Sequence, residues 1–262
     1  MGQSTFKGGA HPYEGKELSM DSPIREMDAK EELVFPMSQH IGAPATPVVA
    51  VGDTVKMGQI IGEASGFISA NIVSSVSGEV KAVEPRLLSS GAKATCVVIA
   101  NDGEYQPVEG LGADRDYTQL TKEEIRQIIK DAGIVGMGGA GFPTNVEVTP
   151  KNEEEIDYVI VNGAECEPYL TSDYRLMLER PEDLIQGLHV VLSLFDNAKG
   201  VIAIEDNKPE AIAKLQYLTD SDPDIEVKVL KTKYPQGAER QVIYVTTGLW
   251  EKLCDTNEKM GG

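Results

Sequence analysis

The sequence predicts a small β-rich barrel or sandwich followed by an α/β domain with a mostly parallel sheet. Residues 46–85 place short runs of Val and Ile between Gly-Asp, Met-Gly and Ser-Gly turns, a pattern typical of successive hairpins. Residues 156–231 instead alternate strands with helices, which is typical of βαβ units. We therefore expect a β-rich domain over residues 1–115, an α/β domain over residues 116–248 and a tail over residues 249–262.

The β-rich part has the strand order of a known small fold. "VGDTVKMGQIIGE" followed by "SSVSGEVKAVE" resembles the two halves of the lipoyl or biotinyl carrier fold, a barrel-sandwich hybrid. Those carriers present a modified lysine at a hairpin tip, whereas the corresponding hairpin here, Phe67 to Asn71, contains none. We therefore expect a structural or docking barrel and not a carrier with a covalent arm.

The elements of the second part follow from local signals. Residues 116–132 predict a helix, because Thr121 and Glu124 form a capping box and the isoleucines that follow lie on one face. A glycine-rich loop comes next. The elements predicted after it are strands at 156–164, 200–206 and 225–231, with helices at 182–196 and 208–218.

Composition limits the classes of partner. The chain of 262 residues carries a net charge of −18, so a nucleic-acid backbone or an anionic bilayer would be repelled, and we expect no nucleic-acid partner. Its apolar runs are far shorter than the roughly 20 residues that span a bilayer, so no direct membrane span is expected. Three widely spaced cysteines favour a reducing cytoplasm over a disulfide framework.

The glycine-rich loop is the first candidate site. "GMGGAGFPT", residues 136–144, exposes backbone amides without Cβ atoms, which suits a phosphate or the edge of a flavin ring. It has no Walker lysine, and it follows a helix where a dinucleotide fingerprint follows a strand. From glycine content alone, a tight helix-to-helix connection is equally supported.

The second candidate site is an acidic turn. "VNGAECEP", residues 161–168, follows a buried strand, and ligands gather at the strand ends of parallel sheets. Its carboxylates could accept hydrogen bonds from ribose hydroxyls or an amide, although acidic residues alone favour a solvated loop. Cys166 has no neighbouring His or Asn in the sequence, so we expect no catalytic thiol.

Together the two segments resemble one family. "GMGGAGFPT" followed by "VNGAECEP", preceded by "ELVFPMSQHIGAPATPVVAVGDTVKMGQ", is similar to RnfC, a subunit of the Rnf ion-translocating electron-transport complex. A more distant resemblance is to the flavoprotein subunit of respiratory complex I. The similarity covers residues 8 to about 245 and implies a complex I flavoprotein-like nucleotide-binding domain after the barrel-sandwich hybrid.

The resemblance implies binding of FMN and NADH. In that family the glycine loop holds a noncovalent FMN, on which NADH stacks. The cofactor-binding residues that it implies are Gly136, Gly138, Gly139, Ala140, Gly141, Phe142, Asn162, Glu165, Cys166 and Glu167, with Tyr234, Gly237 and Glu239 as weaker candidates. Phe142 would contact the adenine end of NADH, and the two glutamates of the acidic turn would face the NADH side. No catalytic side chain is implied, because the flavin carries the redox chemistry.

Two features depart from the family pattern. Members commonly have a lysine, suited to the FMN phosphate, where this chain has Glu147, and a carboxylate beside a phosphate is repulsive. Members also continue into cysteine-rich motifs that hold four-iron four-sulfur clusters. After residue 248 this chain has only Cys254, so we expect no cluster in it and interpret the chain as a fragment or shortened version of the subunit.

The resemblance also implies partners and a location. The protein would pass electrons between NADH and, indirectly, ferredoxin, coupled to ion translocation by other members of a membrane complex. It would lie on the inner face of the cell membrane through those partner subunits. The alternative that remains open is a noncatalytic docking module with an empty flavin site.

Overall fold

The computed structural model describes residues 4–137, 139 and 141–249. Its contacts divide the chain into two units. The α/β unit consists of Met1–Glu26 and Glu154–Gly262, and the β-rich unit of Met27–Glu153. The predicted tail lies outside the described residues from residue 250 onward.

The β-rich unit is built from antiparallel strands. They are β1 (Glu32–Pro36), β2 (Thr46–Pro47), β3 (Thr54–Val55), β4 (Ile60–Glu63), β5 (Ile72–Val73), β6 (Gly78–Leu87) and β7 (Lys93–Asn101). A four-stranded sheet has the order β1-β7-β6-β3, and a three-stranded sheet has the order β2-β4-β5. The two sheets share one apolar core that includes Phe35, Ile61 and Ile99. This pairing matches the hairpins that the turn pattern predicts.

The first helices also belong to the β-rich unit. A 3₁₀ turn at Tyr117–Gln119 precedes α1 (Lys122–Asp131), and α2 (Thr144–Glu147) follows the glycine loop. The predicted capping box of α1 is confirmed, since the Thr121 hydroxyl accepts from the Glu124 amide and the Glu124 carboxylate from the Thr121 amide. Contacts thus place residues 116–153 with the β strands, which differs from the boundary that we expect near residue 115.

The α/β unit contains a parallel sheet. Its strands are β8 (Tyr158–Gly163), β9 (Lys199–Glu205) and β10 (Ile225–Leu230), and its helices are α3 (Ser172–Glu179), α4 (Pro181–Leu192), α5 (Pro209–Thr219) and α6 (Glu239–Thr247). The sheet order is β10-β9-β8, with both strand pairs parallel. The mostly parallel sheet that the sequence predicts is limited to these three strands, because the larger sheet of the described residues is the antiparallel one.

Packing explains why β9 is the central strand. Ile202 and Ile204 are fully buried among apolar side chains of α3, α4 and α5, in a cluster that includes Leu188 and Leu215. A parallel strand covered on both faces needs a continuous apolar run, which "GVIAI" supplies. A proline begins both α4 and α5, since proline is tolerated at the first helical position.

The N-terminal segment joins the α/β unit and not the barrel that follows it in sequence. Ser4 forms a parallel bridge to Leu230, the last residue of β10. Ala10 and Tyr234 exchange two backbone hydrogen bonds of 2.8 Å. The segment then forms a 3₁₀ turn at Lys16–Leu18. The sequence pattern predicts one β-rich domain over residues 1–115, whereas long-range pairing attaches residues before 27 to the parallel sheet.

The turn after α1 depends on close approach of two backbones. Gly133 has φ +64°, and a Cβ at this position would lie 2.3 Å from the carbonyl oxygen of Asn71. The side chain of Asn71 donates to the carbonyl of Lys130 in the last turn of α1. These contacts hold the end of α1, and hence the start of the glycine loop, against the strand β5 region.

We predict that Gly133→Ala destabilises the protein more than Gly103→Ala does. Gly103 also has a positive φ, of +75°, but a Cβ there would meet nothing within 4 Å. The control should therefore cost about 1–2 kcal/mol from the left-handed backbone alone, and Gly133→Ala about 1–3 kcal/mol more from overpacking. Urea unfolding followed by circular dichroism measures both, and equal losses would contradict the tight contact.

Candidate functional site

The glycine loop protrudes from a closed base. Its base is a bridge between Val135 and Pro143, flanked by hydrogen bonds from the Gly136 amide to the Phe142 carbonyl (2.9 Å) and from the Thr144 amide to the Ile134 carbonyl (3.0 Å). Met137, at the start of the protruding part, is 97% exposed. Gly138 and Ala140, two of the predicted site residues, lie outside the described residues.

The glycines of the loop serve two different purposes. Gly139 has φ +147° and a Cβ there would meet nothing within 4 Å, while a Cβ at Gly136 would have no neighbour closer than 3.8 Å. Space beside these two residues is therefore open. Gly141 is different: with φ +63°, its Cβ would lie 2.9 Å from the Gln39 carbonyl oxygen. The fold itself thus requires Gly141, whereas no packing contact of the described residues requires Gly136 or Gly139.

A buried histidine supports the segment on which the loop rests. The amide of Ile41 donates to the carbonyl of Gly141 at 3.4 Å. His40 Nε2 accepts from the amide of Ala70 at 3.2 Å, so its Nδ1 carries the proton and donates to the Ile41 carbonyl at 3.0 Å. Sequence reasoning missed this role, since a single histidine in an irregular segment gives no signal of what it contacts.

The acidic turn is closed by a later segment of the α/β unit. Asn162 Nδ2 donates to the Gly237 carbonyl at 2.8 Å, and the Gly237 amide donates to Cys166 Sγ at 3.1 Å. A Cβ at Gly237 would lie 2.3 Å from the Ala164 carbonyl oxygen, so only glycine allows this approach. The structure therefore brings together three of the residues that the resemblance singles out.

The two glutamates of the turn differ in their surroundings. Glu165 is buried, and its Oε1 accepts from the Asp173 amide in the first turn of α3 at 2.9 Å. A carboxylate at a helix N-terminus is stabilised by the amides there, so this side chain caps α3 from a distance. Glu167 is exposed, as are Tyr234 and Glu239, the first residue of α6.

Helix α3 was not predicted from the sequence, and its cap explains why. The N-cap residue Thr171 makes no capping hydrogen bond to the helix, because its hydroxyl lies 2.8 Å from the Ser19 hydroxyl. The cap comes instead from Glu165, which precedes the helix by several residues. The usual local start signal is therefore lacking. Helix α6 also has no side-chain cap and was likewise missed.

Charged side chains are buried at the carboxyl ends of the parallel strands. Glu205 ends β9 and is fully buried, with Lys208 Nζ 3.3 Å from its Oε2. The Lys233 amide donates to the other carboxylate oxygen of Glu205 at 3.3 Å. Burial raises the pKa of Glu205, and the Lys208 ammonium opposes that rise. Lys16, from the N-terminal segment, completes this cluster, and burial lowers its pKa.

The chemistry available to these groups is limited. Burial raises the pKa of the Cys166 thiol, so the thiol is protonated at neutral pH and is a poor nucleophile. Among residues 4–137, 139 and 141–249, no group of three or more metal-ligating side chains is placed to hold a metal ion. None of the helices described has the length and apolar character that a membrane span requires.

Comparisons with known proteins identify two domains. Residues 4–104 match the family model of the RnfC barrel sandwich hybrid domain, and residues 129–259 match that of the Nuo51 FMN-binding domain. Both matches fall on the segments that the sequence resemblance names. The barrel-sandwich hybrid expected from the carrier-like strand order is thereby confirmed.

Three curated relatives are RnfC-type components of ion-translocating complexes. The chain is 42% identical to its relative in the proton-translocating ferredoxin:NAD(+) oxidoreductase complex of Clostridium ljungdahlii, over 93% of this chain and 53% of that protein. It is 44% identical to the relative in the Na(+)-translocating complex of Acetobacterium woodii, over 93% and 55%. It is 39% identical to the relative in the ion-translocating oxidoreductase complex of Vibrio cholerae, over 93% and 31%. The chain spans about half the length of the first two relatives.

We predict that Cys166 resists alkylation in the folded protein. Its thiol is buried, accepts a hydrogen bond from the Gly237 amide and has a raised pKa, so little thiolate is available below its pKa. Labelling with iodoacetamide at pH 7.5, read by peptide mass spectrometry, should modify it at least about tenfold more slowly than in the urea-unfolded chain. Rapid labelling of the folded protein would contradict the observed burial.

Proposed function

The chain belongs to the RnfC family, and from this premise we propose that it carries the FMN- and NADH-binding part of a ferredoxin:NAD(+) oxidoreductase subunit. The complete protein would pass electrons between NADH and ferredoxin through iron–sulfur clusters, coupled to ion translocation by the complex. The observation that carries the proposal is the glycine loop. It lies within the matched FMN-binding domain and leaves open space at Gly136 and Gly139.

The described part of the loop fits FMN. A flat ring or a phosphate approaches a backbone closely only where no Cβ intervenes. A Cβ at Gly139 would project into open space, which a ligand could use. No described backbone carbonyl accepts from the Gly139 amide, so this donor is available. When bound, FMN would supply the redox chemistry, and the loop would supply hydrogen-bond donors and orientation.

The acidic turn supports the NADH part of the proposal. Glu167 and Tyr234 are exposed and are available to contact a dinucleotide. The buried Glu165 has a different proposed role: its carboxylate fixes the start of α3, and its contribution to binding is through the shape of the turn. Asn162 and Cys166 hold the same turn through Gly237. Glu239 remains the weakest proposal, because its position at the start of α6 is its one supporting observation.

The partners follow from the names of the relatives. We propose that the chain assembles with other subunits of a membrane electron-transport complex and lies on the inner face of the membrane through them. Ferredoxin would exchange electrons with this chain only indirectly. The four-iron four-sulfur clusters of the electron path would be held by segments of the longer family members that this sequence does not contain.

A specific observation favours the second candidate function, a docking module without flavin. Glu147 is exposed at the end of α2, directly after the glycine loop, where the family commonly has a lysine. A carboxylate at this position would repel the FMN phosphate. The alternative therefore predicts an intact scaffold that does not take up FMN.

We predict that the chain quenches FMN fluorescence saturably and that Gly139→Asp weakens binding at least about tenfold, because the new carboxylate fills and repels the proposed site. Gly91→Asp is the matched control. It adds the same charge to the same unit, at a glycine of φ +82° whose Cβ would also meet nothing within 4 Å. Wild-type protein that leaves FMN fluorescence unchanged at high micromolar concentration would favour the docking module. Equal affinity of the two variants would exclude the loop as the site.

We further predict that Glu147→Lys tightens FMN binding about fivefold or more, because it replaces a repulsive charge beside the phosphate with an attractive one. Glu109→Lys, at an exposed position of the same unit, changes the net charge equally and serves as the control. The same fluorescence titration measures both, at low salt. A gain in both variants would indicate long-range attraction only.

A further inference from the structure

We propose that Lys16 is a positioning residue that fixes the backbone of the acidic turn from the N-terminal segment. The acidic turn here means residues 162–170. The inference rests on the proposed function only where it concerns cofactor binding, because the anchoring itself is independent of any ligand.

The contacts of the Lys16 ammonium are complete. Its Nζ donates to the carbonyl oxygens of Glu165 and Leu170, both at 2.7 Å, and of Glu167 at 3.2 Å. An ammonium group has three hydrogen-bond donors, so these three carbonyls use all of them. Glu165 Oε2 lies 3.9 Å away and supplies an opposite charge. One side chain thus joins the start, the middle and the end of the turn.

The conformation of the turn needs such support. Tyr169 has φ +69°, a left-handed backbone that is unfavourable for a bulky residue. Its amide donates to the carbonyl of Glu14 at 2.7 Å, two residues before Lys16. The N-terminal segment therefore binds both donors and acceptors of the turn. Without it, several buried backbone groups would lack partners, at a cost of about 1–3 kcal/mol each.

The position of Lys16 explains why a charged group is used. The carboxyl ends of parallel strands form the crevice in which α/β proteins usually bind ligands. Here Lys16 lies in that crevice, among the buried Glu165, Glu205 and Lys208. Its ammonium satisfies the carbonyls that face the crevice and leaves the exposed Glu167 at the outer side of the turn. The lysine thereby determines which groups of the turn remain available to a ligand.

The test compares Lys16→Met with two control variants of the full chain. Lys199→Met removes an exposed lysine that pairs with Asp224, at the opposite end of β9. Leu215→Ala opens a cavity in the core of the same unit and lowers stability away from the turn. Each variant is measured by thermal unfolding, by hydrogen exchange of residues 165–170 with mass spectrometry, and by FMN titration at a temperature where it is folded.

Lys16→Met should accelerate exchange in residues 165–170 at least about tenfold and weaken FMN binding by a similar factor, since the turn loses three hydrogen bonds. Both controls should stay within about twofold of wild type in both measurements. Unchanged exchange in Lys16→Met, or equal effects in Leu215→Ala, would overturn the anchoring. Faster exchange with unchanged FMN affinity would overturn the positioning role.

Two further outcomes keep the inference separate from the proposed function. If wild-type protein binds no FMN, the proposed function fails, and the exchange comparison alone decides whether Lys16 anchors the turn. If Lys16→Met does not fold, Lys16→Gln takes its place, because glutamine is neutral and donates at most two hydrogen bonds. Protection of residues 165–170 equal to wild type in Lys16→Gln would contradict the inference.

Discussion

The burial of charged groups at the carboxyl ends of the parallel strands is the constraint on which the α/β unit depends. A charged group removed from water needs hydrogen bonds and an opposite charge to replace its hydration. Glu205 obtains these from Lys208 and from the Lys233 amide, and Glu165 from Lys16 and the first turn of α3. Because Lys16 lies far from the others in sequence, the N-terminal segment must be folded in place before this end of the sheet is satisfied.

The β-rich unit depends on a different constraint, the close approach of backbones. Gly133 and Gly141 each lie against a carbonyl oxygen, of Asn71 and Gln39, where a Cβ would not fit. These contacts fix the two ends of the glycine loop on the barrel, and the protruding residues between them are left without packing demands. A loop anchored in this way can keep Gly139 in a strained, open conformation, because the surrounding fold and not the loop itself determines its path.

Both candidate sites therefore consist of a motif and a support that lies outside the motif. The glycine loop is held by the segment around His40, and the acidic turn by Lys16 and Gly237. Flavin and nicotinamide chemistry places little demand on acid–base side chains and much on the fixed orientation of backbone donors. The supports are accordingly as important to the proposed function as the residues that would touch a cofactor.

The sequence alone determined what depends on neighbouring residues. The capping box of α1, the hairpins of the barrel, the strands β8, β9 and β10 and the two motifs all follow from turn chemistry, capping and apolar periodicity within a few positions. Only the tertiary structure decided that the N-terminal segment joins the parallel sheet, that α1 joins the barrel and that the carboxylate of Glu165 turns inward to cap α3. Those outcomes depend on pairing between groups as far apart as Lys16 and Glu165, and local patterns carry no information about which distant partner will satisfy a buried charge.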